Sequence, residues 1–215
     1  MIGYKHVPLA SPPSADPEQF QRMFETGETI RIGSFAYYRA MENDRADPDE
    51  GLATNGFQFP AAGALTDPRF ALARASMGLS WQGFHPNANV YIQNMSVARA
   101  TPPAHLFCCS WEPDQSLVKE GQAIFEIADL DEFANALVRA KRVLGSFTVD
   151  RVVYENRRRD PFGPDGPAVV GPFRKSDLFS QEREIRIVWH TAGYLRPPVL
   201  NITAPECAAF IKRIA

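Results

Sequence analysis

Two glutamates and an arginine stand at alternate positions near the carboxyl end of the chain, within residues 179–189 (FSQEREIRIVW). They are Glu182, Glu184 and Arg186, and apolar side chains stand out of phase with them: Ile185, Ile187 and Trp189. This alternation has the period of a half-buried strand, in which side chains two residues apart project from the same face. The pattern predicts a strand anchored in a core by one face, with the three charged groups on the other. Carboxylates fixed in this way can be aimed at a ligand as electrostatic stabilisers or general bases.

A plainer interpretation of the same residues stays open at this stage. A strand with one solvated face carries charges of this kind, and Arg186 would then only relieve the repulsion between the two carboxylates.

A second charged position on a predicted strand lies early in the chain, in residues 28–34 (ETIRIGS). Ile30 and Ile32 alternate with Arg31, which places the guanidinium on the polar face just before a sharp turn at Gly33. Such an arginine can anchor an anionic ligand through its planar fork. Ser34 then fits the N-cap of a helix over residues 35–43 (FAYYRAMEN).

Four carboxylates are concentrated in residues 43–51 (NDRADPDEG), at Asp44, Asp47, Asp49 and Glu50. Carboxylate clusters can hold Mg²⁺ or Ca²⁺, but this spacing is not that of a calcium-binding loop, which needs a sixth-position glycine and a distant final carboxylate. The segment equally fits a turn whose acids bind backbone amides. Both interpretations stay open, and no residue is assigned as a metal ligand.

Length and composition indicate an ordinary globular protein. A chain of 215 residues can bury a sizeable core, and we expect one domain over residues 1–215. A net charge of −2 argues against a nonspecific nucleic-acid binder, despite the basic cluster at residues 157–159. No apolar run has the length of a signal-peptide core or a bilayer span. The three cysteines lack metal-ligand spacing, so we expect a cytoplasmic protein with reduced thiols and no membrane partner.

The remaining patterns predict short strands with a few helices between them. The clearest strands are residues 105–111 (HLFCCSW), 121–129 (GQAIFEIAD), 145–156 (GSFTVDRVVYEN) and 199–202 (VLNI). The predicted helices are residues 18–26, begun by Asp16 and Pro17, 130–142, capped by Asp129 and Glu132, and 205–214, capped by Thr203 and Glu206. Residues 157–176 are rich in proline and glycine and predict a long loop. Because strand and crossover helix do not alternate regularly, the fold class is α+β with a largely antiparallel sheet.

The late acidic stretch resembles a known family of enzymes. Glu182-x-Glu184 followed by Ile-x-Ile-Val is similar to the acidic element of ADP-ribosyltransferases of the arginine–serine–glutamate class. That family orders an arginine on an early strand, a serine on a middle strand and a late glutamate, and this chain has Arg31, Ser110 and Glu184 in that order. The resemblance implies a split, mostly antiparallel sheet with a few covering helices, and NAD as the ligand.

The same resemblance implies a role for each site residue. Glu184 would stabilise the positive charge that builds on the ribose as the nicotinamide bond breaks, and Glu182 would orient or deprotonate the incoming nucleophile. Arg31 would pair with the diphosphate, with Arg39 as the competing arginine. Ser110 would hydrogen-bond to the glutamate or the ribose, although the chain has Cys108-Cys109-Ser110 where the family usually has Ser-Thr-Ser. Tyr37 or Tyr38 would stack on the nicotinamide ring.

A longer resemblance runs roughly over residues 29–189 and is to a widespread uncharacterised domain family of bacteria and phages. It is carried by the YYRAMEN and ADPDEG segments, a middle Ser-containing strand, and Lys175 ahead of the Glu-x-Glu-x-Arg element. This longer resemblance implies a common fold and no activity, whereas the first implies an NAD-dependent mono-ADP-ribosyltransferase, of the kind used as an intracellular toxin or in phage defence. Its acceptor would be a protein or a nucleic acid.

Two other classes of function are consistent with the same residues. One is a metal-dependent nuclease or phosphoesterase with carboxylate ligands and Lys175 as a charge stabiliser; the ligands would be Asp47, Asp49, Glu50, Glu182 and Glu184. The other is a noncatalytic binding module whose interface is formed by the acidic loop and the aromatic pair Trp81 and Phe84.

Overall fold

The computed structural model describes most of the chain. The described residues are 1–7, 16, 18–39, 52–57, 61–64, 66–68, 85, 88–92, 95–115, 122–156, 158–159, 171–190 and 198–215. For 52–57, 61–64, 89–92, 95–99 and 158–159 the description covers the backbone alone.

Short strands dominate the described residues, and three α-helices accompany them. The helices are α1 (Gln19–Glu25), α2 (Phe35–Arg39) and α3 (Leu130–Ala140). The strands are β1 (Gly3–Val7), β2 (Ile30–Ser34), β3 (Leu52–Phe57), β4 (Ala61–Ala64), β5 (Asn89–Ile92), β6 (Met95–Ala100), β7 (Ala104–Ser110), β8 (Ala123–Ile127), β9 (Phe147–Arg151), β10 (Val153–Glu155), β11 (Arg158–Arg159), β12 (Arg174–Ser176), β13 (Glu184–His190), β14 (Val199–Ile202) and β15 (Ile211–Arg213). Short 3₁₀ segments cover Arg142–Leu144, Asp177–Glu182 and Pro205–Phe210.

The chain forms two compact units that interleave in sequence. The first comprises Met1–Glu50, Pro103–Val153 and Phe179–Ala215, and the second comprises Gly51–Pro102 and Tyr154–Leu178. The second unit contains small sheets, in which β3 pairs with β6 antiparallel and with β11 parallel, β4 pairs with β5, and β10 pairs with β12. The single domain over residues 1–215 stays a prediction.

The first unit is built on an eight-stranded sheet centred on β7. Strand β13 pairs antiparallel with β7 over its whole length, from Glu184 opposite Ser110 to His190 opposite Ala104. The other edge of β7 is shared. Strand β2 pairs with its beginning, at His105 and Leu106, and β1 pairs with its end, at Ser110. The sheet therefore splits along this edge into a β14-β2 part and a β1-β8-β15 part.

One face of this sheet forms the hydrophobic core. The core side chains of β13 are Ile185, Ile187 and Trp189, all at most 1% exposed, and those of β7 are Phe107 and Cys109. Helix α3 covers this face with Leu130, Phe133 and Leu137, which are fully buried. Since strand neighbours alternate between faces, Glu184, Arg186, Cys108 and Ser110 belong to the opposite face.

The mixed α+β class with a mostly antiparallel sheet is confirmed, as are the strands around residues 105–111, 121–129 and 199–202. Asp129 caps α3 as expected, with its Oδ1 accepting from the backbone N–H groups of Asp131 and Glu132 at 3.1 and 3.3 Å. Ser34 likewise caps α2 by accepting from the Tyr37 N–H at 3.2 Å. Within the described residues, no helix is long and apolar enough to cross a membrane.

Two local predictions are wrong. Residues 205–214 are not a helix; Pro205–Phe210 is 3₁₀, without a side-chain cap, and β15 follows, pairing with the exposed edge of β8. The second concerns Glu182, which ends the 3₁₀ segment instead of continuing the alternation of β13, because Arg183 turns the chain with a φ of 49°. The sequence patterns also missed β1, which pairs with both β7 and β8 in the middle of the sheet.

Candidate functional site

The candidate site lies on the face of the sheet opposite the core, where β13 runs beside β7. Trp111 N–H donates to the Arg183 carbonyl at 2.8 Å, so Glu184 and Ser110 form a non-hydrogen-bonded pair of the ladder. In antiparallel sheets the side chains of such pairs approach more closely than those of hydrogen-bonded pairs. Arg186 and Cys108 form the next pair of the same kind. The ladder thus collects four polar side chains from two strands on one patch.

Glu184 and Arg186 form a buried, bidentate ion pair. Arg186 Nε donates to Glu184 Oε1 at 2.8 Å and Nη2 donates to Oε2 at 3.2 Å, so the guanidinium fork engages both carboxylate oxygens. The residues are 5% and 1% exposed, respectively. The Arg186 guanidinium also lies 6.0 Å from the centroid of the Phe35 ring. This burial overturns the interpretation of Glu184 and Arg186 as the solvated face of a strand.

The Cys108 thiol and the Tyr38 hydroxyl continue the polar network from Glu184. Burial raises the pKa of Cys108 well above its ordinary value, and the charge of Glu184 and a hydrogen bond to that carboxylate add to the rise. Burial likewise holds the pKa of Tyr38 well above the usual range, helped by Cys108 and Glu184, and its side chain hydrogen-bonds to Cys108. A thiol and a phenol that keep their protons are hydrogen-bond donors, and both lie beside the carboxylate.

Gly33 explains how Tyr38 reaches this patch. A β-carbon at Gly33 would lie 2.6 Å from Cδ1 of Tyr37 and 3.0 Å from Cε2 of Tyr38, closer than carbon atoms approach. The missing side chain therefore leaves room for both rings to pack against β2 as α2 begins. The two rings meet edge to face, with centroids 5.4 Å apart.

The split in the sheet opens beside Cys108. Because Cys108 and Arg186 form a non-hydrogen-bonded pair, the Cys108 carbonyl points away from β13. It points toward the opposite edge of β7, at a position between those that pair with β2 and with β1. A buried carbonyl without a partner is costly, and here Lys5 Nζ donates to it at 2.8 Å. The lysine of β1 thus occupies the place that a neighbouring strand would fill.

The structure brings some of the predicted site residues together. Ser110 is the ladder partner of Glu184, but its hydroxyl donates to the Tyr4 carbonyl at 3.2 Å. Tyr38 is hydrogen-bonded within the cluster, and Tyr37 packs against it. Glu182 lies on the preceding 3₁₀ segment and is half-buried.

Arg31 is placed differently from the other predicted residues. It is exposed on β2, its Nε donates to Asn201 Oδ1 at 3.1 Å, and its guanidinium lies 5.8 Å from the centroid of the Phe20 ring. The guanidinium that reaches Glu184 belongs to Arg186 instead. Arg31 still lies on the strand that pairs with β7 from the other side.

Sequence reasoning missed three residues of this site: Lys5, Cys108 and Arg186. For Arg186 the signal was present, since its alternation with Glu184 predicted a shared face. Cys108 was predicted only to be a reduced thiol, and β1 with Lys5 was not predicted at all. Only the pairing of distant strands reveals these two.

Within the described ranges, no group of three or more His, Cys, Asp or Glu side chains is placed to hold a metal ion. The acidic segment 43–51 and the aromatic pair Trp81 and Phe84 lie outside the described residues.

Comparisons with protein-family models, curated proteins and solved structures found no match to this chain. A functional assignment therefore depends on the chemistry of the cluster formed by Glu184, Arg186, Cys108 and Tyr38.

Proposed function

We propose that this chain is an NAD-dependent mono-ADP-ribosyltransferase with Glu184 as its catalytic carboxylate. The observation that carries the proposal is the buried position of Glu184, opposite Ser110 of β7, the strand along whose other edge the sheet splits. A buried carboxylate costs free energy unless it is paired. Burial also strengthens the electrostatic effect of the carboxylate on a reacting group, because the surroundings screen its charge less than water does. A glutamate held in this way suits a reaction in which positive charge develops close to it.

The side chains available here fit the chemical groups of NAD. A carboxylate can accept several hydrogen bonds at once, so in the proposal Glu184 accepts from a ribose hydroxyl while it is bound by Arg186. The exposed Arg31 guanidinium suits the diphosphate, and the Tyr37 and Tyr38 rings offer faces for stacking. These groups come from β13, β2 and α2, and β2 and β13 both pair with β7.

NAD supplies the ADP-ribosyl group and nicotinamide as the leaving group. In the proposal Glu184 holds the ribose hydroxyl and stabilises the charge that builds on the sugar as the bond to nicotinamide breaks. Ser110 fixes the local backbone through its hydrogen bond to the Tyr4 carbonyl. Glu182, across the turn at Arg183, orients the nucleophile of a protein or nucleic-acid acceptor. A role as an intracellular toxin or phage-defence effector would follow from such an activity.

Thermal shift and label transfer test the proposal together. We expect NAD to raise the melting temperature of the protein without added metal, because a ligand that binds only the folded state stabilises it. Radiolabelled NAD, incubated with the protein and a cell extract, should label a protein or a nucleic acid. A melting temperature that responds to Mg²⁺ or Mn²⁺ but not to NAD, together with absence of label, would reject the proposal in favour of a metal-dependent hydrolase.

A further inference from the structure

Arg186 is placed differently from an arginine that serves solubility or surface pairing. It is 1% exposed, its fork binds both oxygens of a single carboxylate, and the Phe35 ring lies 6.0 Å from its guanidinium carbon. An arginine cannot lose its proton in a protein, so this buried group is a permanent positive charge. Removing either partner of such a pair leaves an uncompensated buried charge.

We infer that Arg186 is a positioning residue, which keeps the Glu184 carboxylate ionised and fixes its orientation. The catalytic consequence of this inference rests on the proposed function. The effect of Arg186 on the charge and orientation of the carboxylate does not. Arg186 does not need to touch NAD, because it acts through Glu184.

The two-point contact fixes the orientation of the Glu184 carboxylate. A single ammonium would neutralise the carboxylate but allow it to rotate, whereas the planar fork sets the plane of the carboxylate as well as its distance. Both residues lie on β13, two positions apart on one face, and β13 is paired on both sides, with β7 and with β9. A central strand of this kind gives the pair a rigid base.

The charged and titratable groups around the carboxylate come from several elements. Arg186 is on the same strand, Cys108 comes from β7, Tyr38 comes from α2, and Lys5 reaches the Cys108 carbonyl from β1. Cys108 and Tyr38 are hydrogen-bond donors in their protonated forms. Arg186 is in direct ionic contact with Glu184, so its removal should change the ionisation of that carboxylate.

The effect of Arg186 on the ionisation of Glu184 can be measured without any activity assay. In protein labelled with ¹³C at glutamate Cδ, the Glu184 signal is identified by its absence from Glu184→Gln, and its titration is followed in the wild type and in Arg186→Gln. We expect its midpoint to rise by roughly one pH unit or more in Arg186→Gln, because the variant removes an adjacent opposite charge. Arg213→Gln, an exposed arginine of edge strand β15, is the matched control and should leave the midpoint unchanged.

Arg186→Lys separates charge from geometry. It retains a positive charge but loses the fork, so we expect kcat for NAD to fall on the order of 10²-fold while the Kd for NAD stays within about threefold. A lysine variant with the wild-type kcat would show that the fork positions nothing and would overturn the inference.

The remaining outcomes distinguish failure of the inference from failure of the proposed function. A Glu184 midpoint that is the same in Arg186→Gln and wild type overturns the inference, whether or not NAD is consumed. A midpoint that rises in Arg186→Gln, together with a wild type that never consumes NAD, supports the role of Arg186 toward Glu184 and rejects the transferase. If Arg186→Gln does not fold, the double variant Glu184→Gln/Arg186→Gln should regain folding, since no unpaired charge is buried; failure of that rescue contradicts the pairing.

Discussion

At the scale of single residues, the chain buries a charged pair where a purely structural design would place apolar side chains. Buried ion pairs are weak evidence for stability, because desolvation offsets much of their attraction. The presence of Glu184 and Arg186 at 5% and 1% exposure is therefore better explained by a chemical task than by folding. Their shared face was predictable from the alternation alone. The placement of Cys108 and Tyr38 near Glu184 was not, because those residues come from a distant strand and a helix.

The Cys108 thiol reports directly on the charge of Glu184. Glu184 contributes to the raised pKa of Cys108, so Glu184→Gln should lower that pKa and increase the thiolate fraction at a fixed pH. We expect alkylation of Cys108 by iodoacetamide at pH 8.5 to become several-fold faster in Glu184→Gln, as followed by mass spectrometry. Cys207 is the internal control, since its raised pKa, about 12, arises from burial and from Glu206. Equal Cys108 rates in both proteins would contradict the placement of the thiol beside the carboxylate.

At the scale of elements, local sequence determined some features and tertiary pairing determined others. Helix α3 was predictable because its cap, Asp129, and its apolar face agree with each other. Residues 205–214 have the composition of a capped helix, yet Ile211–Arg213 pairs with the free edge of β8. Backbone pairing across a sheet outweighed the local helix propensity there. Strand β1 (Gly3–Val7) was missed because its sequence, GYKHV, shows little alternation of apolar and polar residues.

A pair of glycines tests how tightly the first unit packs around its turns. Gly27 and Gly145 both have a positive φ, 67° and 66°, so an alanine at either position is strained. A β-carbon at Gly27 would also lie 2.3 Å from the Ala204 carbonyl oxygen, whereas at Gly145 the contact, to the His190 carbonyl, is 3.6 Å. We expect Gly27→Ala to lower the free energy of unfolding in urea by more than the roughly 1–2 kcal/mol of left-handed backbone strain alone. A smaller loss would show that Gly27 is not packed against Ala204.

At the scale of the whole molecule, the α+β class followed from the spacing of strand and helix patterns, but the split of the sheet did not follow from them. It was implied only by resemblance, and it depends on which strands share the edge of β7. The short stretch between those partners is where Lys5 and Cys108 meet. No property of the residues near Cys108 in sequence indicates that a lysine from the first strand lies there.

Several thiols and one phenol whose pKa is raised by burial should make the free energy of unfolding decrease at high pH. Burial raises the pKa of Cys109 and of Cys207 from 9.0 to about 12, and it raises that of Cys108 and of Tyr38 as well. Because the folded pKa values exceed the unfolded ones, the folded state retains these protons while the unfolded chain loses them. The stabilisation is complete below pH 9 and decreases as pH rises from 9 toward 12. Urea unfolding at pH 8, 9 and 10 should show a declining free energy of unfolding.

A variant of one buried thiol checks the cause of this decline. Cys207→Ala removes one of these groups, so its free energy of unfolding should decrease less steeply between pH 9 and 10 than that of the wild type. The comparison concerns the slope alone, because the substitution also changes packing at a fully buried position. Identical slopes in the two proteins would contradict the burial of the Cys207 thiol.

The rate of nicotinamide release from NAD is the most direct test of the central claim, that Glu184 is the catalytic carboxylate of an ADP-ribosyltransferase. It is measured for the wild type, for Glu184→Gln and for Glu28→Gln, in which an exposed glutamate undergoes the same change of chemistry. We expect release by the wild type, a fall on the order of 10²- to 10³-fold in Glu184→Gln, and no change in Glu28→Gln. Nicotinamide release that is undetectable in the wild type, or equal in the wild type and Glu184→Gln, would contradict the claim.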